Sequence, residues 1–167
     1  WSNEANPFND INELGSPNEI VEAILADPDG ENQIIAKIES RGLGQRLFRQ
    51  ALLAAYSRKC CVCGLDIPAA LEAAHIIPWA IANNTQKSSV RNGLLLCATH
   101  HKLYDSKCLG VAKNYEILVD FEVEREGVQE DDPWLFNFDR TKINIPEKPE
   151  LRPNPAFLEQ RHSQDGW

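Results

Sequence analysis

Between Cys60 and Asp105 lie four of the chain's five cysteines and three of its four histidines. Their spacing separates two chemistries. Cys60-x2-Cys63 and Cys97-x2-His100 are short chelating pairs with thirty-three residues between them, the pattern of a tetrahedral zinc site that staples two loops together. Gly64 permits the tight turn such a knuckle needs. An oxidised Cys60–Cys63 bridge is the alternative. Cys61 cannot chelate conveniently beside Cys60 and is expected to pack. Cys108 lies outside both pairs and reads as a small buried hydrophobe.

The second set is His75, Asn92, His101 and Asp105. A neutral imidazole near its ordinary pKa can take a proton from water at neutral pH, which makes His75 a candidate general base. His101 and Asp105 lie one helical turn apart and can grip a divalent cation from one face. His100 and His101 are adjacent and point about 100° apart on a helix. The x2 spacing from Cys97 assigns His100 to the zinc and leaves His101 for the second set. Asn92-Gly93 is also a turn signal.

The elements that must position these groups follow from patterning. Leu71 to Ile77 reads as a strand stopped by Pro78, with His75 near its end. Ala80 to Arg91 reads as a polar loop, Leu94 to Leu96 as a second strand, and Ala98 to Ser106 as a helix. Upstream, Ser16, Pro17 and Glu19 form a capping box opening a helix with Ile20, Val21, Ile24 and Leu25 on one face, ending at Asp27 to Gly30. A second helix is expected from about Glu31 to Glu39. Leu43 to Ser57 predicts a buried helix with Leu43, Leu47, Ala51 and Ala54 on one stripe and Phe48, Leu52 and Ala55 beside it; Arg46 and Arg49 lie off that stripe. Downstream, Leu109 to Ala112 and Tyr115 to Val123 predict a hairpin. The run EREGVQEDDP is an acidic loop, Trp134 to Phe138 and Lys142 to Ile145 read as short strands, and Asn154-Pro155 caps a last helix through about His162.

Length and composition bound the answer. The chain has 167 residues with 43% hydrophobic content, enough for one domain with a core. There is no apolar run near eighteen residues and no signal-peptide pattern, so a cytoplasmic location is expected. A reducing compartment favours metal over disulfides for paired cysteines. The absence of methionine leads us to expect a piece of a longer product. Net charge is −8, but residues 1–36 contribute −8, residues 37–113 contribute +7 and residues 114–167 contribute −7. The motif region is a basic island between acidic flanks, the footprint of a phosphate-binding face. Lys87, Arg91, Lys102 and Lys107 are the candidate phosphate contacts.

The run IPAALEAAHIIPW, followed by NGLLL and HHKLYD, resembles the HNH endonucleases of the ββα-metal class, in the branch where "AAHI-P-aromatic" replaces "DHI-P". The resemblance covers about Gln45 to Val119, and KINIPEKPELRPNPAFLEQRH resembles that branch's C-terminal segment. It implies an α+β fold: a ββα-metal core at about 60–107 with a structural zinc, within a nuclease domain of residues 43–167 that ends in a hairpin and a helix. Residues 1–42 are then a lead-in with helices, or a linker to a further domain.

The resemblance further implies a metal-dependent endonuclease domain that hydrolyses DNA phosphodiester bonds, the cleavage part of a larger restriction or defence protein. His75, Asn92 and His101 would be catalytic, Asn92 by bracing the loop that fixes the strand bearing the base. His101 and Asp105 would hold Mg²⁺ or Mn²⁺, with Ni²⁺ or Co²⁺ also admitted by imidazole. Partners would be double-stranded DNA, a recognition domain elsewhere in the parent chain, and a second copy for cutting both strands. One departure stands out: where many of these enzymes carry an Asp metal ligand just before the base, this chain has Ala74. The alternative is therefore a zinc-stabilised nucleic-acid-binding module with a degenerate nuclease centre.

Overall fold

Ser16 opens the first helix of the computed structural model, which describes residues 15–38, 41–120 and 136–166. Its hydroxyl accepts the Glu19 amide, and Glu19 returns a bond to the Ser16 amide. Helix α1, Pro17–Ala26, follows and buries Ile20 and Ile24. No helix continues over the next segment. Asp27 captures the amides of Glu31 and Asn32 at 3.1 and 2.8 Å, Gln33 adopts a φ of 55°, and only a 3-10 turn at Ile35–Lys37 forms. The left-handed backbone at Gln33 stops a helix from running through this segment.

Helix α2, Arg41–Ala55, buries Leu43, Leu47, Phe48, Ala51, Leu52, Leu53 and Ala55. Ala54, expected on the apolar stripe, faces outward, and Leu53 takes the inner position. Helix α1 packs against α2, and Ile20, Ile24 and Ile35 belong to the same core as the rest of the chain.

Strand β1, Leu71–His75, pairs antiparallel with β2, Gly93–Cys97, with Leu71 opposite Cys97 and His75 opposite Gly93. The link expected to be a polar loop contains helix α3, Asn84–Ser88. Its capping box of Asn83 and Gln86 has bonds of 2.8 and 3.0 Å and was legible as Asn-x2-Gln. Helix α4, Ala98–Asp105, leaves β2 without a loop. Both α2 and α4 pack on the two strands. All five residues of β2 are buried, as befits a strand covered on both faces.

Strands β3, Leu109–Val111, and β4, Ile117–Val119, make the expected hairpin. Neither of the two further strands is present among the described residues. Among the described residues, Phe136–Phe138 is a 3-10 turn, closed by the Thr141 amide and hydroxyl on the Phe138 carbonyl, and Lys142 makes one isolated bridge to Glu116. Arg140, between the two expected segments, has a φ of 60°. Trp134 and the acidic loop lie outside the described residues.

Helix α5, Pro155–Asp165, starts on the Asn154 side chain as predicted. Its Arg161 is buried and ion-paired to Asp165. The guanidinium donates to the carbonyls of Ile76 and Tyr104, tying the end of β1 to α4. The described lead-in is fastened as well. The Pro28 carbonyl accepts the Ser89 hydroxyl at 2.7 Å, and Asp29 pairs with Arg91 at 2.8 Å.

Gly93 is where the layers come closest. A Cβ there would lie 2.7 Å from both Leu52 methyls and 2.9 Å from the Phe48 ring. Gly93→Ala should cost about 1–3 kcal/mol of stability by overpacking, read as a lowered denaturant midpoint at unchanged slope; no loss would mean that α2 is free to move off β2.

Candidate metal and hydrolytic centre

The first knuckle is built by backbone geometry. Gly64, with a φ of 74°, lets its amide turn back to the Cys60 carbonyl at 2.9 Å. The Cys61 amide bonds Leu95 of β2, and the Cys61 carbonyl accepts the Asn144 amide. These bonds bring the knuckle to the junction of β2 and α4. There Cys60, Cys63, Cys97 and His100 gather with all donor atoms within 4.8 Å of one another.

The Cys97 and Cys60 sulfurs lie 3.1 and 3.7 Å from His100 Nδ1, and Cys63 and Cys97 sulfurs lie 4.0 Å apart. A tetrahedral zinc with ordinary bond lengths needs edges of about 3.5–3.8 Å, so the donor set fits one zinc ion. Electrostatics agree. Burial pushes the Cys60 thiol up, but bonds from His100 and from neighbouring backbone amides outweigh it and bring it down to about 6. Burial pushes Cys63 up to about 12 and Cys97 upward, the Cys60 charge adding to both. Three thiolates this close need a cation among them. Cys61 is fully buried and its thiol is pushed well up by burial, in keeping with a packing role. Cys108 is only half-buried.

One residue along, His101 sits elsewhere. Its Nε2 is 3.5 Å from Asp105 Oδ2, and its Nδ1 is hydrogen-bonded to Glu72. His75 lies beyond, its ring stacked on Phe48 at 4.1 Å and meeting the Trp79 ring edge-on at 5.5 Å. The Lys87 carbonyl bonds the imidazole. Nε2 is shut off from solvent with no hydrogen-bond partner, which leaves Nδ1 for that carbonyl. Burial, and secondarily the Arg41 charge, hold His75 at a pKa of about 4 against the carbonyl's opposing pull. It is a neutral base at pH 7. His75, Glu72 and His101 line one cleft of about 340 Å³, with Arg46 and Phe48 on its α2 side.

Asn92 is fully buried and makes no hairpin turn. Its Oδ1 accepts the Ile77 amide at 2.8 Å, and its Nδ2 donates to the carbonyls of Ile77 and Gln86 at 3.2 and 3.0 Å. One side chain thus clamps both the segment after His75 and the helix whose Lys87 carbonyl orients it.

The expected phosphate contacts divide. Lys87 stands 5.3 Å from the Trp79 ring centroid, beside His75. Lys102 is exposed on α4. Lys107 pairs with Asp165 at 3.5 Å. Arg91 is engaged with Asp29 and with the Arg152 carbonyl. Sequence reading passed over Arg41, whose guanidinium stands 5.9 Å from the Trp79 ring centroid, and Glu72. Strand alternation carried the signal for Glu72: it shares a face of β1 with Ala74.

A β-hairpin running straight into a helix, with a chelating residue set at the junction, defines a ββα unit. Residues 60–112, the segment from the first knuckle through β3, match the HNH endonuclease family model. A solved structure described as the modification-dependent TagI restriction endonuclease is similar at 17% identity and a TM-score of 0.44, over 68% of this chain and 35% of that one. The chain thus spans about a third of that structure's length. No curated protein matches the chain. Among the described residues, no helix is long and apolar enough to cross a membrane.

Two predictions separate the two centres. Elemental analysis should find about one tightly held zinc per chain; His100→Ala should abolish it and cost on the order of 3 kcal/mol or more, whereas His101→Ala should keep the zinc and most of the stability. Equal losses would contradict the division. Because folding lowers the His75 pKa from about 6.5 to about 4, the unfolded chain binds more protons between those values. Its neutral burial is therefore stabilising above pH 6.5 and is lost as pH falls toward 4. Relative to His75→Gln, the unaltered chain should lose at most about 3 kcal/mol between pH 7 and 4, measured by urea unfolding. A pH-independent difference would refute the buried neutral imidazole.

Proposed function

We propose that this chain is a metal-dependent HNH nuclease module that hydrolyses DNA phosphodiester bonds. The observation that carries the reading is the unpartnered Nε2 of His75, held by a backbone bond on the other nitrogen, in a ring that lines the cleft shared with His101. Buried polar atoms without partners are rare and need a reason. A general base has one.

Each residue then has a task. The Lys87 carbonyl holds the proton on Nδ1, leaving the Nε2 lone pair to take a proton from water. Nε2 is covered in the free protein, so substrate entry must part the side chains over it. Asn92 keeps the end of β1 and the Lys87 carbonyl in register, so the base does not wander. His101 and Asp105 would hold a divalent cation, Mg²⁺ or Mn²⁺ by the oxygen donor and Ni²⁺ or Co²⁺ also by the imidazole. Such an ion, when bound, neutralises phosphate charge and stabilises the departing 3′ oxygen. The 3.5 Å between Nε2 and Oδ2 is too long for a hydrogen bond and close to the separation of two donors on one small ion.

Arg46 lines the cleft, Arg41 and Lys87 stand over the Trp79 ring that meets His75, and these cations would grip the backbone on either side of the scissile bond. Such contacts position without reading sequence, so cutting should be nonspecific and salt-sensitive. A role as the cutting part of a larger restriction or defence protein, with recognition supplied elsewhere in the parent chain and a second copy for the second strand, suits a centre that handles one strand. Ala74, buried and apolar, favours a second reading in which the centre has decayed and the zinc-stabilised fold only binds nucleic acid.

Plasmid nicking with Mg²⁺, Mn²⁺ or Ni²⁺ decides between them. His75→Ala should slow nicking about 10²–10⁴-fold while leaving the zinc and DNA binding in place. Binding without metal-dependent, His75-dependent nicking under any of the three ions would establish the binder.

A further inference from the structure

Asp105 approaches one nitrogen of the His101 ring and Glu72 the other. We propose that Glu72 is the positioning residue of the catalytic ion: it accepts the Nδ1 proton of His101 and so fixes the tautomer whose Nε2 lone pair faces the ion beside Asp105. The inference rests on reading His101 and Asp105 as the ion's ligands.

Three observations carry it. An imidazole bearing its proton on Nδ1 has its lone pair on Nε2, and Glu72 is the acceptor on the Nδ1 side. The carboxylates sit across the ring from each other. Among the described residues, the four zinc-site residues are the only group of three or more whose donors converge within 4.8 Å, so Glu72, His101 and Asp105 do not enclose one ion together. One carboxylate can share the ion with His101; the other can only act through the ring, as outer carboxylates do on metal-binding histidines. The Nε2–Asp105 distance suits the first task, and the direct bond to Glu72 suits the second.

Strand geometry explains why the duty falls to Glu72. On β1 it lies one pleat before Ala74 on the same face, opposite Leu96, whereas Ala74 lies opposite Leu94. Leu96 stands nearer the start of α4, so a carboxylate at 72 reaches the helix that carries His101. The methyl at 74 is buried and offers no donor. This centre keeps a strand-borne carboxylate, moved one pleat and changed in role.

The Glu72 side chain is 50% exposed and that of His101 23%, so the pair adds little to stability and Glu72 can be replaced without unfolding the chain. The test uses the zinc-loaded chain free of other metals, with Mn²⁺ as the probe. Glu72→Ala should weaken Mn²⁺ binding about 10–100-fold in calorimetry. In the ¹⁵N spectrum of the ion-free protein, His101 should lose its single Nδ1-protonated form and become a mixture of tautomers. Glu72→Gln, whose amide oxygen can still accept the proton, should restore most of both, while Asp105→Ala should weaken binding and leave the tautomer alone. Unchanged affinity and tautomer in Glu72→Ala would overturn the proposal. So would a loss matching Asp105→Ala without rescue by Gln, since Glu72 would then be a ligand itself; so would a chain that binds no Mn²⁺. Protein that binds Mn²⁺ with these sensitivities yet cuts no DNA would refute the nuclease reading and leave this one standing.

Discussion

The bond set at Cys60, Cys63, Cys97 and His100 governs everything else in the centre. It joins a loop that precedes β1 to the point where β2 becomes α4. Because β2 and α4 meet there without a linker, fixing that point fixes the start of the helix, and with it the direction of every side chain along its first turns. His100 turns inward to the sulfurs, and His101, rotated by one residue's step, turns outward to the cleft. A slip of one residue in that junction would exchange them. The chelating cluster is thus also the device that aims His101.

The opposite wall of the cleft is held by a different force. His75 is wedged between Phe48 and Trp79, and its base strength follows from that dry seat. The apolar packing that removes water from the ring disfavours its charged form, and it leaves the Nε2 lone pair bare at a cost that the surrounding packing must offset. Asn92 supplies the counterweight, with its amide satisfied three times over inside the core. Two otherwise unrelated solutions, a metal-type cluster on one side and a buried amide on the other, hold groups that line one cleft.

Much of this was legible in the sequence because chelating residues announce themselves by spacing. Both pairs, the register that splits His100 from His101, and the i to i+4 placement of Asp105 depend only on local geometry, and local geometry is what spacing encodes. The capping box at Ser16 and the cap at Asn154 were readable for the same reason. What escaped depends on partners distant in sequence. Arg91 looks like any surface cation until Asp29 is seen beside it, sixty-two residues away. Glu72 looks like the polar half of an alternating strand until His101 is found against it. The segment after Asp27 has helical periodicity, but Gln33 within it takes a left-handed φ that periodicity does not announce. Lys142 to Ile145 has β-forming residues, yet only one of them finds a partner strand.

The fastening of the lead-in has a mechanical meaning. Ser89 and Arg91 reach back to Pro28 and Asp29, and the next residue is Asn92, the clamp on the far end of β1. Any tug on the chain before α2 is therefore delivered, through two short struts, to the residue that anchors the segment after His75. A rotation of α1 could loosen or tighten that anchor without touching the cleft itself, which makes the front of the molecule a handle on its chemistry.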